Sequence, residues 1–411
     1  MSSFTYIDLF AGAGGLSEGF IKAGFTPIAH VEYDKAACYT LQTRSAFHYL
    51  KNEEKEDIYN SYLKGKISRT ELYSAIPSNI LNCVINAKIG EDNSDIFYKI
   101  DSFLKKKNVD LIIGGPPCQA YSYIGRAALK HKTTDERTTL YIQYGRFLKK
   151  YNPKIFVFEN VPGILTAGKG QYFKNLKKYY KTLGYEVEAQ LFDAHDYEVV
   201  QHRKRLIIIG WKKDLNLNYP EIEKSKNKYF RNDIFLDLPS VKPGENKKYH
   251  TYVKSINSYL SNTGIRNGVN FITQHITRPH NERDLKIYKL AIDKLKKGEK
   301  LKNSEIPEKD RTQKNIKDFV DRFKVVDKEP HTMIAHIAKD GHHFIHPDEK
   351  QLRSISVREA ARIQSFPDDF YFEGIKENQS RSAAFRQIGN AVPPLFAEKI
   401  AFKIKDLLDE Q

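Results

Sequence analysis

The stretch from Thr5 to Glu32 constrains this chain more than any other. Thr5-Tyr6-Ile7-Asp8-Leu9-Phe10 has the texture of a short buried strand, and Ala11-Gly12-Ala13-Gly14-Gly15 that of a tight turn. Leu16 to Ala23 follows as a helix that stops at Gly24. Pro27-Ile28-Ala29-His30-Val31 is a second strand, closing at Glu32. Strand, helix and strand in succession form a βαβ unit, which predicts a parallel sheet. Strand-like runs return at Val109–Ile113, Ile155–Phe158 and Leu206–Gly210, and helical patterns lie between them at Thr139–Lys149 and Tyr172–Leu183. The alternation predicts an open α/β sheet with ligands at the carboxyl ends of its strands.

Two segments break the alternation. Residues 51–97 are charged and helical in patches, and are expected to be a surface insertion. After Trp211 the chain becomes rich in Lys, Asn, Asp and Tyr with weak periodicity, so 212–350 is expected to be a second, smaller and irregular domain. Regular patterns resume with helices at Ser356–Gln364 and from about Leu395 to Leu408. A chain of 411 residues is long enough for two or three domains. Three cysteines without paired spacing argue against a disulfide framework or a zinc ribbon, which points to a reducing compartment. The N-terminus has no signal-like apolar run, and no run approaches the roughly 18 residues of a membrane span. A cytoplasmic protein is expected. The net charge of +16 suits a polyanionic partner or, equally, a solvated lysine-rich surface.

Gly12-Ala13-Gly14 after a strand allows close backbone approach to a ligand, although Ser17 stands where a dinucleotide fingerprint has its third glycine. Glu32 lies 20 residues beyond Gly12, the spacing at which an acidic residue reaches a ribose diol. Tyr33 beside it is placed to stack on an adenine. Asp101 is expected to end another strand near the same edge, or else to cap a helix. Together they suggest an adenosine-containing cofactor. Gly114-Gly115-Pro116-Pro117-Cys118-Gln119 then sets a cysteine behind a rigid corner, straight after an apolar strand. A structural cysteine needs no such loop, whereas a nucleophile needs a fixed backbone and access.

Six segments in order resemble the C5-cytosine DNA methyltransferases of bacterial type. Asp8 to Gly15 resembles their S-adenosylmethionine loop and Gly115-Pro116-Pro117-Cys118-Gln119 their nucleophile motif. Glu159-Asn160-Val161 resembles the catalytic acid motif, and Gln201-His202-Arg203-Lys204-Arg205 the Q-x-R-x-R motif. Arg358 to Pro367 resembles the motif under the recognition domain, and Gln387 to Pro394 the final motif that returns to the cofactor. The resemblance covers most of 4–210 and 352–400. Two places depart from the family: Glu198-Val199-Val200 replaces a common Gly-Val-Pro, and Asp135-Glu136-Arg137-Thr138 replaces Asp-x-Arg-Gly.

The resemblance implies a doubly wound, Rossmann-like S-adenosylmethionine-dependent methyltransferase fold. Its catalytic part would be 1–211 with the 51–97 insertion, completed by 380–411. A target-recognition domain would span 212–351, with 352–379 joining the two. It implies methyl transfer from S-adenosylmethionine to carbon 5 of a cytosine flipped out of duplex DNA, without a metal. Cys118 would attack carbon 6 and make carbon 5 nucleophilic. Glu159 would hold a proton at N3, which requires a raised pKa. Arg205 would bind O2, Arg203 and Arg205 would favour the thiolate, and Asn160 would fix the loop. Cofactor contacts would come from Phe10, Ala11, Gly12, Gly14, Gly15, Glu32, Tyr33, Asp101, Pro117, Asn390 and Ala391. DNA contacts would come from Gln119, Ser122, Arg126, Gln201, Arg266 and Arg278. The loop Ala120–Arg137 would close over the flipped base, with Ser122 and Arg126 at backbone phosphates. The runs 263–268 and 273–278 are candidate base-reading loops or ordinary turns. His342, His343 and His346 lie close in sequence but lack acidic or thiol partners at ligand spacing. A prokaryotic restriction-modification setting is expected, with a cognate endonuclease acting on the same site. The rivals are a transfer-RNA cytosine methyltransferase, a non-catalytic DNA-binding regulator and an amino-group methyltransferase.

Overall fold

The computed structural model describes residues 4–104, 108–117, 139–311 and 322–411. Its centre is a seven-stranded sheet: β1 (Thr5–Leu9), β2 (Thr26–Glu32), β3 (Val84–Asn86), β4 (Leu111–Gly114), β5 (Ile155–Asn160), β6 (Tyr185–Asp193) and β7 (Lys204–Lys212). The spatial order is β3-β2-β1-β4-β5-β7-β6. The first five strands run parallel, and β7 is antiparallel to both its neighbours. Order reverses between β1 and β4, where Leu9 pairs with Gly114. The two glycine-rich loops therefore leave the sheet side by side at a topological switch point, where an open α/β sheet offers a crevice.

Both faces of the sheet are covered, and the side chains alternate accordingly. Tyr6, Ile113, Ile155, Val157, Ile207 and Ile209 enter one core, which holds α1 (Gly15–Lys22) and the C-terminal helix. Ile7, Ile112, Phe156, Phe158 and Ile208 enter the other. That core holds α6 (Ser94–Leu104), α7 (Leu140–Tyr151) and α8 (Gln171–Thr182).

The segment 51–97 does more than decorate the surface. After α2 (Lys35–Asn52), the short helices α3 (Glu56–Leu63), α4 (Arg69–Ser74) and α5 (Ser78–Asn82) lead into β3, a strand missed in the sequence. They share a core with Phe271. Tyr59 donates to the Asp369 carbonyl at 2.8 Å, and Arg69 donates to the carbonyls of Gly374 and Ile375 at 2.9 and 3.0 Å. The insertion thus braces the 366–377 segment. Edge strand β6 was also unread, because its polar residues leave no clean apolar run. Asp101 is corrected: it sits inside α6, exposed, paired with Lys150 at 2.9 Å, and ends no strand.

Beyond β7 come α9 (Arg231–Phe235), α10 (Ser258–Asn262), α11 (Glu282–Lys296) and a two-stranded pairing of β8 (Tyr249–His250) with β9 (Ile272–Thr273). Regular structure is sparse in this stretch. Then α12 (Val357–Ile363) starts at a capping box of Ser356 and Glu359, followed by α13 (Arg381–Asn390) and α14 (Pro394–Asp409). Helix α14 lies directly on α1, because Gly15 and Gly19 have no Cβ: a methyl at Gly15 would overlap the Val392 carbonyl, and one at Gly19 the backbone at Ala397 and Glu398.

Gly→Ala inside a helix ordinarily gains up to about 1 kcal/mol. At position 19 the added methyl must push two backbones apart. Gly19→Ala should therefore lower unfolding free energy by about 1–3 kcal/mol in denaturant titrations. A neutral or stabilised variant would contradict the close helix contact.

Candidate active site

The crevice is built from four loop starts at the carboxyl ends of β1, β2, β4 and β5. After Leu9 the chain bends through Phe10 at φ 58°, Gly12 at 56° and Gly14 at 83°. These left-handed turns curl the backbone so that the Gly14 amide donates to the Ala11 carbonyl at 2.9 Å. A Cβ on Gly12 would meet nothing within 4 Å, so its surface is open to a ligand.

Glu32 organises this turn. Its carboxylate accepts from the Gly12 amide at 2.8 Å with one oxygen, and from the Tyr33 and Asp34 amides at 2.8 and 2.7 Å with the other. Burial pushes its pKa up and outweighs these backbone bonds, which act the other way. A carboxylate has about four acceptor positions, so one is left for a ribose hydroxyl. Tyr33 is 70% exposed at the same edge. Ala391, from the far end of the chain, lies beside the glycine turn with its methyl against the space a Gly15 side chain would fill, and Asn390 precedes it at the end of α13. Gly15 packs against the 391–392 segment, where a Cβ would overlap the Val392 carbonyl. Asp101 is removed from the cofactor set, since it sits with the residues that precede β4, beside Asn108, Val109 and Asp110.

The nucleophile corner is held from below. Asn160 donates to the Pro116 carbonyl at 3.1 Å and accepts from the Val161 amide at 2.9 Å. Gly115 is needed because a Cβ there would stand 2.7 Å from a Glu159 carboxylate oxygen. Pro117 is exposed and leads into Cys118. Cys118, Gln119, Ser122 and Arg126, the loop Ala120–Arg137 and the departure at 135–138 lie outside the described residues. The other two cysteines are unsuited to be nucleophiles. Burial pushes the thiols of Cys38 and Cys83 up to about 12, and they donate to the carbonyls of Glu32 and Ile80.

Glu159 ends β5 and Arg205 begins β7, and the antiparallel pairing of these strands sets them together. Arg205 Nε donates to Glu159 Oε1 at 2.7 Å, and both side chains are largely buried. The Glu159 carboxylate stands beside Gly115, so the pair adjoins the Gly115–Pro117 corner.

Four further residues expected at ligands have partners within the fold. Arg203 is fully buried and donates to the carbonyls of Met333, Gly389 and Ala391 at 2.6, 3.2 and 2.8 Å. It clamps three segments. Gln201 is also buried, binding the Ile363 carbonyl, the Gln364 side chain and the Met333 amide. Arg266 is committed to Asp237 at 3.2 Å and lies over the Tyr252 ring. Arg278 is half-buried and donates to the Ala338 carbonyl at 2.9 Å. The run 273–277 is a buried strand and its continuation, with no solvent-facing loop. Carbonyl partners leave no mark in a sequence, so these roles were not legible. The Gly-Val-Pro departure has a visible consequence. Glu198 adopts φ 65°, a conformation that favours glycine, and accepts from the Tyr259 hydroxyl at 2.7 Å.

The chain matches the model of the C-5 cytosine-specific DNA methylase family over residues 4–73 and 80–406. It is 40% identical to the type II methyltransferase M.Bpa9945I of Bacillus paralicheniformis over 98% of this chain and 99% of that one. It is 32% identical to the type II methyltransferase M.DdeI of Desulfomicrobium norvegicum, over 97% and 88%. Among solved structures it is similar in fold to a prophage-encoded DNA modification methyltransferase from E. coli, with TM-score 0.67, 24% identity and 99% and 100% coverage. The Entamoeba histolytica methyltransferase EhMeth shares the fold at TM-score 0.55 and 14% identity, with 100% and 99% coverage.

If Glu32 both shapes the turn and binds the cofactor, Glu32→Gln should weaken S-adenosylmethionine binding about tenfold, or ~1.4 kcal/mol. Calorimetric titration of the folded variant checks this, and unchanged affinity would remove Glu32 from the site. By its sequence over nearly its whole length, and in a crevice built from the family's own motifs, this chain belongs to the C-5 cytosine-specific DNA methylases, S-adenosylmethionine-dependent enzymes that methylate DNA.

Proposed function

We propose that this enzyme methylates carbon 5 of a cytosine flipped out of a short, specific duplex sequence, through a covalent Cys118 adduct at carbon 6. The carrying observation is the buried Glu159–Arg205 pair beside the corner that leads to Cys118. Cytosine carbon 5 is a poor nucleophile until the ring loses its aromaticity. Thiolate addition at carbon 6 moves electron density towards N3 and O2. A proton held at N3 by Glu159 and a guanidinium at O2 from Arg205 would meet that density where it develops. Carbon 5 then attacks the sulfonium methyl of the cofactor, and loss of the carbon 5 proton expels the thiolate. Arg205 and Glu159 hold each other in the free enzyme, so the flipped base would enter by exchanging their mutual contact for contacts to its own edge.

The raised thiol pKa values of Cys38 and Cys83 support Cys118 as nucleophile. Residues 1–211 with 380–411 would form the catalytic unit, 212–351 the recognition unit and 352–379 the joint, with DNA in the cleft between. The relatives named type II methyltransferases support a role as the modification arm of a restriction-modification system, with a cognate endonuclease sharing its site.

Conversion sequencing of unmethylated genomic DNA, after incubation with protein and S-adenosylmethionine, should show cytosine protected within one short motif. Cys118→Ala should abolish protection. Glu159→Gln should slow turnover by about 10²–10⁴-fold while leaving cofactor affinity intact. Protection that survives Cys118→Ala would overturn the covalent mechanism, and absent protection by cofactor-binding protein would favour an RNA substrate.

A further inference from the structure

We propose that His195, His202 and Glu329 form a binding site for a divalent transition-metal ion of the zinc type, joining the β6–β7 connection to the segment 329–333. Their ligand atoms all lie within 4.8 Å of one another. His195 is 2% exposed, and its Nε2 has no hydrogen-bond partner among the described residues. A buried polar atom without a partner is costly and calls for a ligand. Its Nδ1 lies 3.1 Å from the Val199 carbonyl. A carbonyl can only accept, so the proton sits on Nδ1 and Nε2 presents a bare lone pair, the tautomer a metal requires.

His202 is held by a carboxylate at each ring nitrogen. Its Nδ1 lies 3.0 Å from Asp193 Oδ2 and its Nε2 3.0 Å from Glu329 Oε2. Asp193 is fixed in turn by the Arg203 amide at 2.8 Å. A carboxylate holding the outer nitrogen of an imidazole is the usual backing of a metal ligand. The ion would take the place between His202 Nε2 and Glu329 Oε2 and release the proton shared there. The two imidazole rings lie 4.4 Å apart. Two imidazole nitrogens and one carboxylate oxygen suit zinc, with a fourth position left to solvent.

The three residues come from two sides of a seam that is already laced. The His202 amide donates to the Pro330 carbonyl at 3.1 Å, and the Thr332 hydroxyl to the His202 carbonyl at 2.6 Å. Asp193, His202, Lys204, Arg205 and Thr332 line one cleft, so an ion would sit beside the proposed catalytic arginine and fix the angle at which the 329–333 segment meets it. The site owes nothing to the run His342, His343 and His346. His342 bonds Tyr288, and burial pushes His346 down to about 4.

The test is titration of Zn²⁺ into tag-free, chelator-stripped full-length protein against a competing chromogenic chelator, with Co²⁺ absorption as a second readout. One equivalent should bind, and Co²⁺ should give the intense visible bands of a four-coordinate site. His202→Ala should weaken binding by more than the roughly 10–100-fold that loss of an outer-shell partner costs, and Glu329→Gln should weaken it as well. Both side chains are about half exposed, so the variants should fold. His336→Ala, at an exposed histidine outside the cluster, should bind as the parent does. Absence of saturable binding, or binding unchanged in His202→Ala, would overturn the proposal. Neither result bears on methyl transfer, which the sequencing experiment reads separately.

Discussion

Among the described residues, four guanidinium groups without solvent exposure hold this enzyme together: Arg203, Arg353, Arg358 and Arg362. Arg353 clasps Glu359 with two bonds of 2.7 Å. Arg362 bridges Asp237 and Asp368 and donates to the Ile234 carbonyl. Arg358 donates to the carbonyls of Thr273, Pro367 and Phe370. A buried guanidinium is stable only where nearly all its donors are met, and removing one partner strands a buried charge at about 3–5 kcal/mol. Each arginine therefore dictates where several distant segments must pass. Helix α12, which carries two of them, is the peg on which α9, β9 and the 366–370 turn are hung.

The catalytic crevice depends on that scaffold and on the strand order. Reversal between β1 and β4 puts the glycine turn at 12–15 and the corner at 115–117 next to each other, and the antiparallel β7 brings Arg205 back to Glu159. Glycine at 115 lets the acid lie against the corner, and Asn160 fixes its height. Arg203, just ahead of β7 and two residues before Arg205, ties the start of that strand to the last motif through Gly389 and Ala391. One short stretch thus serves both the proposed chemistry and the joint between the chain's two ends. The seam formed by His202 with 329–333 lies between them, which is why an ion there would stiffen the approach to Arg205.

Much of this was legible before any coordinates. Alternating apolar strands and the glycine turn at 12–15 are local patterns with local causes. The helix at 356–364 and the C-terminal helix were each expected within a residue or two of where they occur. Asp101 was misplaced because an apolar run ending in an acid fits either a strand end or an amphipathic helix. Edge strand β6 escaped because only one of its faces is fully covered. Arg266, Arg278, Gln201 and Arg203 were expected at ligands and were found at carbonyls, carboxylates and amides.

The sequence by itself determined the sheet, its glycine turns, the order of the motifs and the kinds of group available for the reaction, since these follow from periodicity, backbone sterics and side-chain chemistry within a few residues. Only the tertiary structure decided which polar residues are structural and which face the crevice. An arginine in a motif looks the same whether it meets a ligand or a main-chain carbonyl. Its role is set by burial and by partners 100 or more residues away, such as Met333, Gly389 and Ala391 around Arg203, and no local pattern encodes those distances.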